Sequence, residues 1–168
     1  IQAEAKIGVN LEYTEKLTKQ LEKIVSKLGD DELDSYTTYL GQFDVKDHYG
    51  NKIGSHLAQI NVHLKPKHGG SRKRSVKAIM NDLRTRIKSV QGFEKIYFDK
   101  EQEGPPIGKP VAIKIKGDSF DVLGKISNQV EEYLNSVNGV FDVNSDYEVG
   151  RGQLRIVVDQ DQAARVGL

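Results

Sequence analysis

Three of the chain's four prolines fall between Pro105 and Pro110, in the run Gly104-Pro105-Pro106-Ile107-Gly108-Lys109-Pro110. Proline fixes φ and has no backbone N–H to donate, so neither a helix interior nor a central strand can cross this run. The chain must therefore fold as one unit before it and another after it. Its 168 residues suffice for one ordinary domain or two small ones.

The first unit opens with a short extended piece, about Gln2 to Lys6. Asn10 can cap a helix in which Leu17, Leu21, Ile24, Val25 and Leu28 recur at helical spacing, with Gly29 as the stop. The pairs Glu15–Lys19 and Glu22–Ser26 belong to its solvated side. Leu33 to Phe43 is rich in strand formers, among them Tyr36, Thr37, Thr38 and Tyr39. A polar turn through His48, Tyr49 and Gly50 leads to a second strand, roughly His56 to Leu64. The two predict a hairpin whose loop, at about ten residues, exceeds the usual two to five. Lys65 to Lys77 is a basic connector, and a helix is expected from about Ser75 to Val90, stopped by Gly92. Phe93, Ile96 and Phe98 mark a fourth strand. The order strand, helix, strand, strand, helix, strand predicts a ferredoxin-like plan, a four-stranded antiparallel sheet with two helices on one face.

After the prolines the pattern restarts. Val111, Ile113 and Ile115 alternate as a strand, and Ser119 can cap a helix striped by Phe120, Leu123, Ile126, Val130, Leu134 and Val137. Asn138-Gly139 ends it, Val140 to Tyr147 reads as a strand, and Leu154, Ile156 and Val158 as another before a helix opening at Asp159. The expected class is α+β: a ferredoxin-like split βαβ subdomain over 1–103, a linker at 104–110, an incomplete βαβ subdomain over 111–150, and a further start over 151–168. A lone βαβ unit cannot cover both its helix and its sheet, so the second is expected to need the first or further sequence.

The chemistry is mostly excluded. With no Cys there is no disulfide, thiolate zinc site, iron–sulfur cluster or Cys nucleophile. The composition, 37% hydrophobic and 29% charged, is that of a folded globular chain, and no apolar run nears the roughly 20 residues of a membrane helix. No signal peptide is visible at Ile1 to Lys6, and both ends read as cut from something longer. There is no phosphate-binding GxxxxGK[ST] loop, GxGxxG, GxSxG or HExxH. His56 and His63 lie an odd number of residues apart on one strand, so they are expected on opposite faces, and His48 and His68 are read as surface residues. Met80 belongs to a core stripe. The carboxylates Asp30, Asp31 and Glu32 sit in a turn, and Asp159 and Asp161 at a helix start; neither group makes an enzyme. Lys65, Lys67, Arg72, Lys73, Arg74 and Lys77 could cradle phosphate or RNA, since this sheet is also an RNA platform. The strand His56 to His63 lacks the aromatics such a platform needs, and the net charge of +1 gives no general pull towards nucleic acid. A solvated charged turn is preferred.

Several segments together resemble a known family. Gly104-Pro105-Pro106-Ile107-Gly108-Lys109-Pro110-Val111 is similar to the lead into the second C-terminal porter subdomain of resistance-nodulation-division (RND) efflux transporters. The stretch Leu154 to Leu168, with Val158-Asp159-Gln160-Asp161-Gln162-Ala163, resembles the strand and helix that open the family's docking insertion. Gly8 to Lys16 resembles the turn into the first porter helix, and Val62-His63-Leu64-Lys65-Pro66 the third strand, with Arg72, Ser75 and Val76 starting the second helix.

The resemblance implies a transporter fragment and no enzyme. It implies the periplasmic portion of an inner-membrane, proton-driven homotrimer, working with a periplasmic adaptor and an outer-membrane channel. It implies a small-molecule export substrate, no cofactor and no nucleic acid. Drug pockets in the family lie between the porter subdomains and along the first hairpin, whose loop here is about Phe43 to Ser55. The substrate-path candidates are then Gln42, Phe43, Tyr49 and Asn61 on the hairpin. Tyr97, Asp99 and Glu101 alternate on the fourth strand, and Asn144 and Asp146 lie across from them. Many of these places are aromatic in drug exporters and polar or acidic here, which suits a cationic or amphiphilic organic solute. Met80 alone is too little for the methionine-lined heavy-metal branch. The other class left open is a free-standing ligand-sensing or regulatory ferredoxin-like module.

Overall fold

The computed structural model describes residues 1–43, 52–67, 69–100, 111–146 and 165. In chain order these form β1 (Gln2–Ala5), α1 (Leu11–Val25), β2 (Leu33–Phe43), β3 (Lys52–Leu64), α2 (Val76–Ile87), β4 (Phe93–Tyr97) and α3 (Phe120–Ser136). The strands make one sheet in the order β2-β3-β1-β4, every neighbouring pair antiparallel. This is the ferredoxin-like arrangement the element order predicts.

Local chemistry sets the helix boundaries. Asn10 is extended and its side chain accepts from the Tyr13 N–H at 2.9 Å, and Ser75 does the same for Ala78 at 3.1 Å. Each cap satisfies a backbone donor that the first turn leaves orphaned. The stripes then face the sheet. Leu21 and Val25 of α1 and Ile87 of α2 pack with Ala3 and Ile60, and Leu28, Ile79 and Leu83 form a second cluster beside them. α1 also buries Thr14 and Thr18, which the apolar stripe does not contain. Their hydroxyls are satisfied, Thr14 by the Ser55 carbonyl at 2.7 Å and Thr18 by the Thr14 carbonyl at 2.7 Å. Gly92, at φ +100°, stands where a Cβ would come within 2.6 Å of Leu17, so the chain passes α1 only as glycine.

The basic connector turns inward. Arg72 donates to the carbonyls of Lys65 at 2.6 Å and Arg74 at 2.5 Å. Arg74 forks onto buried Glu32, Nε to Oε1 at 2.6 Å and Nη2 to Oε2 at 2.5 Å, and reaches Asp82 at 2.8 Å. Lys65 Nζ and the Ser71 hydroxyl bond the carbonyls of Asp30 and Asp31. These groups fasten the connector to the turn before β2, and their cations face carboxylates and carbonyls of the same chain.

Three expectations are corrected. β3 begins at Lys52, not near His56, so Ile53 to Ser55 belong to the strand and only 44–51, outside the described residues, separates the hairpin arms. Val111 to Ile115 and the described part of Val140 to Tyr147 form no strand. An extended segment becomes a strand only against a neighbour that completes its hydrogen bonds, and neither finds one among the described residues. The stripe on α3 forms and, in keeping with what a lone βαβ unit can cover, stays open: Phe120 is 76% exposed, and of the helix only Gly124 is buried. The linker 104–110, and the stretch 151–168 save the exposed, helical Arg165, lie outside the described residues.

The Glu32–Arg74 fork is expected to give stability a pH signature. Hydrogen bonds from Arg74 hold the Glu32 carboxyl below the ordinary glutamate range. The folded state then binds that proton less readily than the unfolded one, so this stabilisation is complete above roughly pH 5 and fades as pH falls through the free-glutamate value near 4.3 and below. Glu32→Gln should flatten the acid limb of a melting-temperature profile and lower the melting temperature at neutral pH.

Candidate functional site

The helices cover one side of the sheet through Ala3 and Ile60. Side chains alternate along a strand, and directly paired residues project to the same side. Gln2 and Glu4 therefore point to the opposite face, together with their β4 partners Tyr97 and Lys95. Gln59 pairs with both Gln2 and Tyr39, and Asn61 with Thr37, so these join the same face. Their amides form a chain from β1 to β3 and along it: Gln2 Nε2 donates to Gln59 Oε1 at 3.1 Å, and Gln59 Nε2 to Asn61 Oδ1 at 2.7 Å.

A bulge brings the hairpin tip onto this face. Between the pairs Leu40↔Ala58 and Gln42↔Ile53, β2 advances two residues while β3 advances five. Gly41 sits at the step with φ +77°, a backbone that favours glycine, and a Cβ there would press to 3.3 Å on Leu11. Such a bulge re-aims the side chains beyond it. Phe43 and its partner Lys52 thereby meet β1 and β4 side chains. The Phe43 ring stands edge-on to Tyr97, centroids 6.1 Å apart at 81°. Lys52 Nζ lies 6.0 Å over the Phe43 ring and 3.0 Å from Glu4 Oε1, which also accepts from the Tyr97 hydroxyl at 2.9 Å. The Lys52 side chain is 33% exposed and that of Glu4 19%, so the ion pair itself contributes at most about 1 kcal/mol. The aromatic pair adds about 0.5–1.5 kcal/mol beyond the area it buries.

The sequence candidates are thus dispersed unequally. Phe43, Asn61 and Tyr97 share the face opposite the helices; Phe43 is only 1% exposed, so its ring is packed rather than presented. Gln42 is exposed, in the next position along β2. β4 ends at Tyr97, so Asp99 lies past the strand, exposed, and the expected alternation through Glu101 is not continued. The cause is tertiary: the Phe98 N–H turns to the Asp142 carboxylate at 3.1 Å instead of a neighbouring strand. Tyr49 and Glu101 lie outside the described residues. Asn144 and Asp146 are exposed on the segment after α3, where the Ser145 hydroxyl lies 2.8 Å from that of Ser127.

The groups of this face that escaped sequence reasoning include the amides Gln2 and Gln59, Glu4 and Lys52. Glu4, between the buried alanines Ala3 and Ala5, carried a period-2 signal that could have found it. Lys52 carried none, since its position depends on the bulge. The result is a wall of amides, one ion pair and an aromatic edge. A separate groove of about 180 Å³ lies between α1 and β2, lined by Glu15, Thr18, Lys19, Glu22, Thr38 and Leu40, and holds none of the candidates. Among the described residues no group of three His, Asp or Glu side chains could hold a metal ion. Nor is any helix among them long and apolar enough to cross a membrane.

These features define the class of the molecule: a ferredoxin-like α+β unit whose sheet carries its polar and aromatic side chains on the face away from the helices. The particular family follows from comparison with known proteins. The chain belongs to the AcrB/AcrD/AcrF family, whose model matches residues 1–168, and this bears out the RND resemblance read in the sequence. Two crystal structures of a heavy metal efflux pump share its fold. Crystal form I superposes with a TM-score of 0.67 at 19% identity, and crystal form II with 0.65 at 18%. Each alignment covers 99% of this chain and 18% of the pump chain, so the chain spans under a fifth of that length. No curated protein matches it.

Packing and presentation separate in a mutant series. Phe43→Ala should destabilise the fold by about 3–5 kcal/mol, as for other buried phenylalanines. Gln42→Ala next to it should stay within about 0.5 kcal/mol. Tyr97→Phe, which removes one donor to Glu4, should cost about 1 kcal/mol. Urea denaturation with matched m-values checks all three.

Proposed function

We propose that the chain is the periplasmic porter portion of a proton-driven RND pump that exports small molecules across the cell envelope. The observation that carries this reading is the family match along the whole chain, on a fold shared with solved efflux-pump chains. In this reading residues 1–103 are a complete porter subdomain, 104–110 its linker, 111–150 the opening of a second, and 151–168 the start of the docking subdomain. The parent is an inner-membrane homotrimer that meets a periplasmic adaptor and an outer-membrane channel. Its proton relay lies in parts of the parent other than this one.

The substrate path runs past Gln42, Phe43, Tyr49, Asn61, Tyr97, Asp99, Glu101, Asn144 and Asp146. The exposed carboxylates Asp99 and Asp146 support a cationic or amphiphilic organic solute, because an opposite charge reached without burying the carboxylate costs little desolvation. Asn61, tied into the amide chain from Gln2, would offer a fixed hydrogen-bonding position. The metal named for the solved pump is not carried over to this chain, which has a single methionine, half-buried on α2.

Asp99→Ala with Glu101→Ala in the full-length pump, expressed in an efflux-deficient host, should lower resistance to cationic amphiphiles several-fold while leaving neutral compounds unaffected. Unchanged resistance at equal pump abundance would remove the charge-based substrate assignment. Loss of resistance to every compound alike would point to assembly rather than to recognition.

A further inference from the structure

Arg84 of α2 is placed unlike any other cation in the described residues. Its guanidinium lies between two rings, 5.1 Å from the centroid of Phe98 and 5.2 Å from that of Phe141. Nη1 donates to Asn81 at 2.8 Å, and Nη2 donates to Asp142 Oδ2. The other oxygen of Asp142 accepts the Phe98 N–H at 3.1 Å. One carboxylate thus ties the end of β4 and the side of α2 to the segment that follows α3. Both partners of the ion pair are largely shielded, with side chains 20% and 19% exposed. Asp142 does this from φ +58°, the left-handed region, which aspartate and asparagine tolerate better than other side chains.

The surroundings make this contact matter. α3 buries only Gly124, and Phe120, Val122 and Tyr133 are more than half exposed, so little apolar packing holds the helix in place. The contact is therefore made by charge and by two ring faces rather than by burial of the α3 stripe.

We propose that Arg84, Asp142, Phe98 and Phe141 form a latch that holds 120–146 against the four-stranded unit, and that releasing Asp142 frees this stretch while the sheet and its two helices stay folded. The proposal concerns the chain itself and does not depend on the transport reading. Asp142→Asn is the informative variant. Asparagine keeps the left-handed backbone and an oxygen for the Phe98 N–H, and loses the charge that holds Arg84. Arg84→Lys is its counterpart, keeping the charge and losing the planar fork and the stacking on both rings.

Hydrogen exchange followed by mass spectrometry on the 168-residue chain provides the test. Each variant should raise amide exchange in peptides from 120–146 by about tenfold or more, with peptides from β1, β3 and α1 unchanged. Unchanged exchange in 120–146 for both variants would overturn the latch. So would a uniform rise over the whole chain, which would make the contact part of one cooperative core. If both variants failed to fold, that too would count against a separable latch.

Discussion

Strand β1 is four residues long, yet it pairs with β3 on one side and β4 on the other. Without it the β2–β3 hairpin and β4 would be separate pieces, too small to stand alone. Its two faces are divided by residue size and polarity. Ala3 and Ala5 are buried at 1% exposure each; Ala3 packs directly with α1 and α2 residues, where a small side chain lets helix and sheet approach closely. Gln2 and Glu4 hold the other side, one starting the amide chain to Asn61 and the other gathering Lys52 and Tyr97. Core and candidate site are thus consequences of one alternating tetrapeptide, and a one-residue slip of β1 would exchange them.

The parts legible in the sequence were those whose cause is local. The cap at Asn10, the start of α2 near Ser75 and the stripes of α1 and α2 each depend on neighbours a few residues away, whereas α1 ends at Val25 and α2 at Ile87, ahead of the stops expected at Gly29 and Gly92. Strands β2, β3 and β4 were found because each had both β-forming composition and a partner to receive it, whereas β1, Gln-Ala-Glu-Ala, was read only as a short extended piece. Val111 to Ile115 had the first and, among the described residues, not the second, which is why a convincing alternation gave no strand. Periodicity reports what a segment can become, and pairing decides whether it does.

The candidate face was read in part for the same reason. Tyr97 and Asn61 lie on regular stretches of strand, so their side could be inferred from period 2. Phe43 and Lys52 lie beyond a bulge of unequal arms, where counting by twos fails. Arg84 and Asp142 are 58 positions apart and meet through tertiary placement alone. The connector arginines show the converse. Clustered in sequence they resembled an anion site, but the fold gives Arg72 and Arg74 carbonyls and carboxylates of their own chain.

The bulge in β3 also bears on how such a molecule can diversify. Register in a sheet is normally transmitted along the whole hairpin, so an insertion near the tip threatens the alternation at its base. Here the three surplus residues of β3 lie between the tip and the sheet proper, and the pairs from Leu40↔Ala58 down to Leu33↔Leu64 are set on the far side of them. Register beyond the bulge is thus independent of register at the base, although Phe43 and Lys52 still pack on Tyr97 and Glu4. The number of residues joining Phe43 to Lys52 can change among descendants while the pairs from Leu40↔Ala58 to Leu33↔Leu64 keep their register.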